Sequence, residues 1–130
     1  MLQLPVGIVR KARLSGTSVR AEQVIGDVEG RVPVVVDDMI STGGTISAAM
    51  DARLGRGCAS SLLVVAINGL FTGPAVERIR SLPIRRLIVS DSLPLAADLP
   101  FPCEVAGVAD LLGDAIGQLH RAAPLDDLGR

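Results

Sequence analysis

The sequence predicts an α/β fold, a parallel sheet flanked by helices. Short runs of β-branched and aliphatic residues recur at 32–36, 62–67 and 87–89. Between them lie segments whose apolar residues fall at helical spacing, and Gly and Pro punctuate the joins. Strands that alternate with helices favour parallel pairing through right-handed crossovers.

Each element has its own signal. Residues 4–9 read as a short strand. Residues 10–31 are polar, with Arg10, Lys11, Arg13, Arg20, Glu22, Asp27 and Glu29 and with Gly16, Gly26 and Gly30. This composition predicts a flexible basic arm or an exposed hairpin. The run 32–36 predicts a strand buried on both faces. Ile46, Ala49, Met50 and Leu54 repeat as a helix would, and Gly55 and Gly57 follow as stop signals. A second buried strand is expected at 62–67, then a loop Asn-Gly-Leu-Phe-Thr-Gly at 68–73. Pro74 suits the first position of a helix reaching Leu82, because its missing N–H would have no helical acceptor there. A third strand follows at 87–89, a long loop with three prolines at 91–102, and a fourth strand at 103–108. The closing helix, 109–121, carries Leu111, Leu112, Ala115, Ile116 and Leu119 on one side. No repeat or linker divides the chain, so one domain over 1–130 is expected.

Composition narrows the function. Of 130 residues, 48% are hydrophobic and 21% charged, enough for a packed aliphatic core. A formal net charge of -1 argues against a nucleic-acid partner, which requires a basic field. Two Phe with no Trp or Tyr argue against a base-stacking platform. Cys58 and Cys103 lack metal-ligand spacing and read as buried thiols in a reducing compartment. No apolar run approaches the roughly 20 residues that span a bilayer, and the N-terminal residues do not read as a signal peptide. A soluble cytoplasmic protein without a membrane partner is expected.

The chemistry concentrates at Asp37-Asp38 and Ser41-Thr42-Gly43-Gly44-Thr45, placed between a strand and a helix. In open parallel sheets ligands bind beyond the carboxyl ends of the strands. Gly43 and Gly44 permit a tight curl and a close backbone approach. The amides at the helix start attract a phosphate, to which Ser41, Thr42 and Thr45 add hydroxyls. Asp37 and Asp38 would repel a bare phosphate. They suit the donor-rich partner beside it, sugar hydroxyls or a divalent cation. A plain helix cap needs one acid, whereas two adjacent acids at the end of an apolar strand carry a repulsion and desolvation cost. The combination describes a site for a phosphorylated ribose.

This block resembles the binding loop of type I phosphoribosyltransferases and, more closely, of ribose-phosphate diphosphokinases. The diphosphokinase likeness extends to Val-Gly-Ile-Val-Arg-Lys-Ala-Arg at 6–13, Gly-Asp-Val-Glu-Gly at 26–30, Asn-Gly-Leu-Phe-Thr-Gly-Pro-Ala at 68–75 and Asp-Ser-Leu-Pro at 91–94. The resemblance implies a type I phosphoribosyltransferase-like fold, shortened on its N-terminal side. It implies that 41–45 hold the 5-phosphate of ribose 5-phosphate or of phosphoribosyl diphosphate (PRPP). Asp37 and Asp38 would orient the ribose hydroxyls, partly through Mg2+. Lys11 and Arg13 would close over the diphosphate passing from ATP, although by themselves they read equally as a solvated basic turn. Family enzymes are longer, and their first half supplies a subunit interface, much of the ATP site and metal-binding residues. A homo-oligomer or a partner domain bearing the ATP site is therefore expected, with little turnover by this chain alone. A PRPP-consuming transferase and a non-catalytic PRPP- or nucleotide-binding subunit are the alternatives. Two positions depart from the family pattern: Ser41, where many members have Asp, and Asn68, where His is usual. His120, on the closing helix, reads as a surface residue.

Overall fold

A computed structural model describes residues 5–13, 19–25, 29–54, 57–126 and 128–129. Its elements run β1 (Ile8–Arg13), β2 (Val19–Ile25), β3 (Val34–Ile40), α1 (Gly44–Leu54), β4 (Leu62–Gly69), α2 (Ala75–Ser81), β5 (Ile84–Ser90), β6 (Glu104–Ala106) and α3 (Ala109–His120). Strands β3-β4-β5-β6 form one parallel sheet in sequential order. The expected α/β architecture holds. The basic segment is an antiparallel β1–β2 hairpin whose register slips between Arg10 and Lys11, and β2 lies along α1. The first strand thus falls at 8–13 rather than 4–9, and Leu4 lies outside the described residues.

Sequential strand order decides where the helices go. Right-handed crossovers that always step in the same direction leave every helix on the same side of the sheet. Accordingly α1 and α2 touch each other. Ile46 and Met50 of α1 and Ile79 of α2 close a core over Leu62, Val64, Ala66, Leu87 and Val89. Burying each large aliphatic chain of this core contributes about 1.5–3 kcal/mol.

The opposite face is different. Val34, Val36 and Ile67 point there at 46%, 75% and 58% exposure. The expectation that 32–36 is buried on both faces is overturned: β3 alternates, because among the described residues nothing covers its second side. α3 does not supply that cover. No residue of it is buried, and Leu111, Leu112, Ile116 and Leu119 are exposed. The apolar side expected for this helix exists, but within the described residues it meets no core. No described helix is long and apolar enough to cross a membrane.

One smaller expectation is also corrected. Cys58 and Cys103 are half-buried rather than buried. Phe71 and Phe101 stack edge to face with ring centres 5.6 Å apart, and both flank the core.

Candidate functional site

β3 runs further than its apolar residues suggested. Pairing with β4 continues through Asp37↔Ala66, Met39↔Asn68 and Ile40↔Gly69. Asp37 and Asp38 therefore lie inside the strand, near its carboxyl end, and not after it. Strand alternation sends their side chains to opposite faces. Asp37 shares its side with Val35, but at the carboxyl end of the sheet both acids border one open cavity. Asp38 follows Val36 onto the open face. Asp37 is half-buried, and its Oδ1 accepts the Asp38 N–H at 3.1 Å.

Buried Ile40 anchors the strand end, and the chain then turns through residues 41–43 into α1. Gly43 has φ +74°, a left-handed conformation that glycine adopts without a Cβ clash. A Cβ there would meet Ala75 Cα and Arg78 Cβ at 3.7 Å. The glycine thus lets the loop curl; a side chain there would point at α2, at ordinary contact distance, and not at a ligand. The first helical bond runs from the Ser47 N–H to the Gly43 carbonyl at 3.1 Å. Amides ahead of that bond have no acceptor within the helix itself, and together they form its positive end. The first turn of α1 carries no acid to neutralise it.

The loop is held by the segment that follows β4. Leu70 and Phe71 N–H groups both donate to the Ile40 carbonyl at 3.0 Å, and the Thr72 N–H donates to the Ser41 carbonyl at 2.9 Å. Arg78 Nη1 donates to the Thr42 carbonyl at 2.9 Å. Ser41 Oγ and Thr72 Oγ1 share a further bond of 3.0 Å. Three successive carbonyls are thereby turned toward one wall. In a trans peptide the next N–H points the opposite way, so the amides of Thr42 and Gly43 face the other side. Successive backbone amides turned to one side form a concavity that can receive an anion.

A polar chain crosses the strand ends beside Asp38. Asn68 Nδ2 donates to the Asp38 carbonyl at 3.4 Å, and Ser92 Oγ donates to Asn68 Oδ1 at 2.8 Å. Ser92 Oγ also lies 2.8 Å from the Oγ of buried Ser90, which reaches the Ile67 carbonyl at 2.7 Å. Asn68 thus uses both ends of its amide. An open cavity of about 500 Å³ adjoins this chain, lined on the uncovered face by Val36, Asp38, Val65, Ile67 and Ile88 among others. Residues 41–45 do not line it.

The predicted residues thus divide into two groups. Asp37, Asp38, Ser41, Thr42, Gly43, Gly44 and Thr45 are continuous along β3, the loop and the start of α1. Lys11 and Arg13 belong to β1, and their side chains lie outside the described residues. Among the described residues no three Cys, His, Asp or Glu side chains gather to hold a metal. Asp37 and Asp38 both border the cavity at the strand ends, and Mg2+ ordinarily keeps several waters and takes one or two carboxylates with substrate oxygens. His120 is exposed, in line with its reading as a surface residue. Ser92 falls within the Asp-Ser-Leu-Pro motif at 91–94 but was given no role from sequence, and Arg78 was not singled out. Each acts through a contact distant in the chain.

Away from the loop, Arg86 and Glu104 form a two-pronged ion pair at 2.7 and 2.5 Å. Its hydrogen bonds hold the Glu104 carboxyl below the usual range. Burial, and then the Glu104 charge, push the Cys103 thiol up.

Comparison with known proteins places the family and agrees with the fold. The family model described as phosphoribosyl synthetase-associated domain matches residues 15–130. A ribose-phosphate pyrophosphokinase of Streptomyces coelicolor is 41% identical over 130 residues, covering 98% of this chain and 40% of that protein. One from Aquifex aeolicus is 33% identical over 123 residues, covering 95% and 39%. The chain spans about two fifths of the length of these curated relatives. The crystal structure of phosphoribosylpyrophosphate synthetase from Mycobacterium smegmatis superposes with a TM-score of 0.66 at 34% identity, covering 84% of this chain and 36% of that one.

Proposed function

We propose a function from the premise that this chain belongs to the phosphoribosyl synthetase-associated domain family. The chain binds the ribose 5-phosphate moiety of ribose 5-phosphate and PRPP and contributes that half of a diphosphoryl-transfer site. The observation that carries this reading is the loop after β3, where the Ile40, Ser41 and Thr42 carbonyls are tied back so that the amides that follow face forward at the start of α1.

In the proposed reaction the 1-hydroxyl oxygen of ribose 5-phosphate attacks the β-phosphorus of ATP. The bond from that phosphorus to the α,β-bridging oxygen breaks, AMP leaves, and the hydroxyl proton passes to solvent or a base. Residues 41–45 hold the 5-phosphate and so fix the distance and direction of attack. Asp37 and Asp38 accept hydrogen bonds from the ribose hydroxyls. They would also hold Mg2+, which supplies neutralisation of the diphosphate charge when bound. Lys11 and Arg13, on the hairpin, bring positive charge to the transferred group and exclude water.

The ATP half is proposed to come from a partner domain or a second copy. Phe71 and Phe101 are paired with each other at the core edge and do not offer an open adenine platform. The uncovered face at Val34, Val36 and Ile67, with the exposed leucines of α3, supports association. On this reading the chain alone releases no AMP from ATP and ribose 5-phosphate in the presence of magnesium.

The test combines calorimetry and assay on the purified chain. Ribose 5-phosphate is expected to bind, and AMP release is expected to be absent without a partner. Diphosphate release from PRPP on adding a nucleobase would replace this reading with a PRPP-consuming transferase. A chain that binds neither ribose 5-phosphate nor PRPP would refute the site.

A further inference from the structure

We infer that Arg78 is a positioning residue of the phosphate loop, holding the Thr42–Gly43 peptide in the orientation that presents the Gly43 N–H to an anion. This inference rests on the sugar-phosphate reading above and adds to it a residue from a separate element.

Arg78 lies in α2, one crossover away from the loop. Its side chain is half-buried, and Nη1 donates to the Thr42 carbonyl at 2.9 Å. That carbonyl belongs to the peptide whose N–H is Gly43's. Gly43 sits at φ +74° and is followed by a second glycine. Glycine populates both signs of φ with similar ease, so on its Gly43 side this peptide meets little local resistance to rotating. A rotated peptide would aim a carbonyl oxygen at the ligand, and an anion would be repelled where it should be held. The neighbouring peptide is fixed through the backbone, by the Thr72 N–H on the Ser41 carbonyl. The Thr42–Gly43 peptide is fixed by a charged side chain, and a charge-assisted bond is the stronger kind.

The guanidinium also lies close. Nη1 would be 4.0 Å from a Cβ built on Gly44, at the first residue of α1. Among the described residues no carboxylate forms an ion pair with Arg78. Its charge therefore adds to the positive end of α1. The Cβ of the same residue packs 3.7 Å from the position a Gly43 Cβ would take, so the side chain is seated against the loop along its length.

The test uses the 15N-labelled chain with ribose 5-phosphate as ligand. Two readings are taken: the dissociation constant, and the Gly43 amide resonance of the ligand-free protein. Arg78→Met removes both the donor and the charge. It is expected to weaken binding about tenfold, the worth of one charged hydrogen bond, and to shift the Gly43 amide before any ligand is added. Arg78→Lys keeps a charge but loses the guanidinium fork. A smaller loss with a shift in the same direction is expected, and this variant carries the test should Arg78→Met fold poorly. Unchanged affinity in the variants, with wild-type binding intact, would overturn the role of Arg78 alone. Weakened binding with an unmoved Gly43 amide would show only a charge effect and would overturn the positioning role. Absence of ribose 5-phosphate binding by the wild type would overturn the sugar-phosphate reading and this inference with it.

Discussion

Gly69 lies directly beneath the ring of Phe71: a Cβ built on the glycine would meet Phe71 Cε2 at 2.7 Å and Leu95 Cδ2 at 3.2 Å. Phe71 itself has φ +48°, unusual for a side chain of its size. This contact sets the segment whose amides hold the Ile40 and Ser41 carbonyls. Gly69→Ala is expected to destabilise the fold by about 1–3 kcal/mol through overpacking and to weaken ribose 5-phosphate binding. Urea unfolding and calorimetry on the same sample check both. Stability equal to wild type would show that the ring moves aside freely.

Gly43→Val tests the loop from within. A β-branched residue at φ +74° carries strain of about 1–3 kcal/mol, and its side chain would press on Ala75 and Arg78. Ribose 5-phosphate binding is expected to be lost while the secondary structure stays intact by circular dichroism. Retained affinity would place the phosphate elsewhere.

The acids are tested by selectivity. Asp37→Asn with Asp38→Asn should weaken ribose 5-phosphate binding about tenfold, the cost of hydrogen bonds lost to charged acceptors. Inorganic phosphate should bind no worse, because two like charges are gone. A wild type that does not distinguish the two ligands would mean that the carboxylates do not reach the sugar.

A pH experiment addresses the surface pair. Glu104 is held below its usual range chiefly by the Arg86 hydrogen bonds. A carboxyl lowered in the folded state stabilises that state above its unfolded value and loses the contribution as pH falls through the folded one. Glu104→Gln should therefore melt below wild type at neutral pH, with the gap closing on acidification through the carboxylate range. The gap should be small, since the pair is exposed. A gap independent of pH would mean that the pair contributes nothing.

Cys103 offers a chemical check. Burial and then the Glu104 charge push its thiol up, disfavouring the thiolate, which is the reactive form. Iodoacetamide should modify Cys103 more slowly than a free cysteine at mildly alkaline pH. Equal rates would contradict the packing around it.

Much of this architecture could be read from residues alone, because the signals were local. Pro74 marked the start of α2, and Ile46, Ala49 and Met50 marked α1 by spacing. The extension of β3 through Asp37 and Asp38 was not visible, since pairing with Ala66 and Asn68 overrides the low strand preference of Asp. Nor was the one-sided sheet. Val34 and Val36 look like core residues in a sequence, and strand order, not composition, leaves them outside. The glycine–threonine motif at 41–45 marked the turn from β3 into α1. The carbonyl tethers from Thr72 and Arg78 depend on contacts some thirty residues away, for which the sequence has no periodicity.

The uncovered sheet face also has a calorimetric consequence. Val34, Val36 and Ile67 keep 46%, 75% and 58% exposure on that face, surface that a covered sheet would hide. Less apolar surface is hidden by folding, so less is released on melting. A 130-residue protein ordinarily unfolds with a heat-capacity increment of about 1.6–2 kcal/mol/K. This chain, melted alone, should fall below that range and show a correspondingly shallow denaturant slope. The missing heat capacity should reappear as a negative increment when the face is covered, an observable that reports docking without knowledge of what docks.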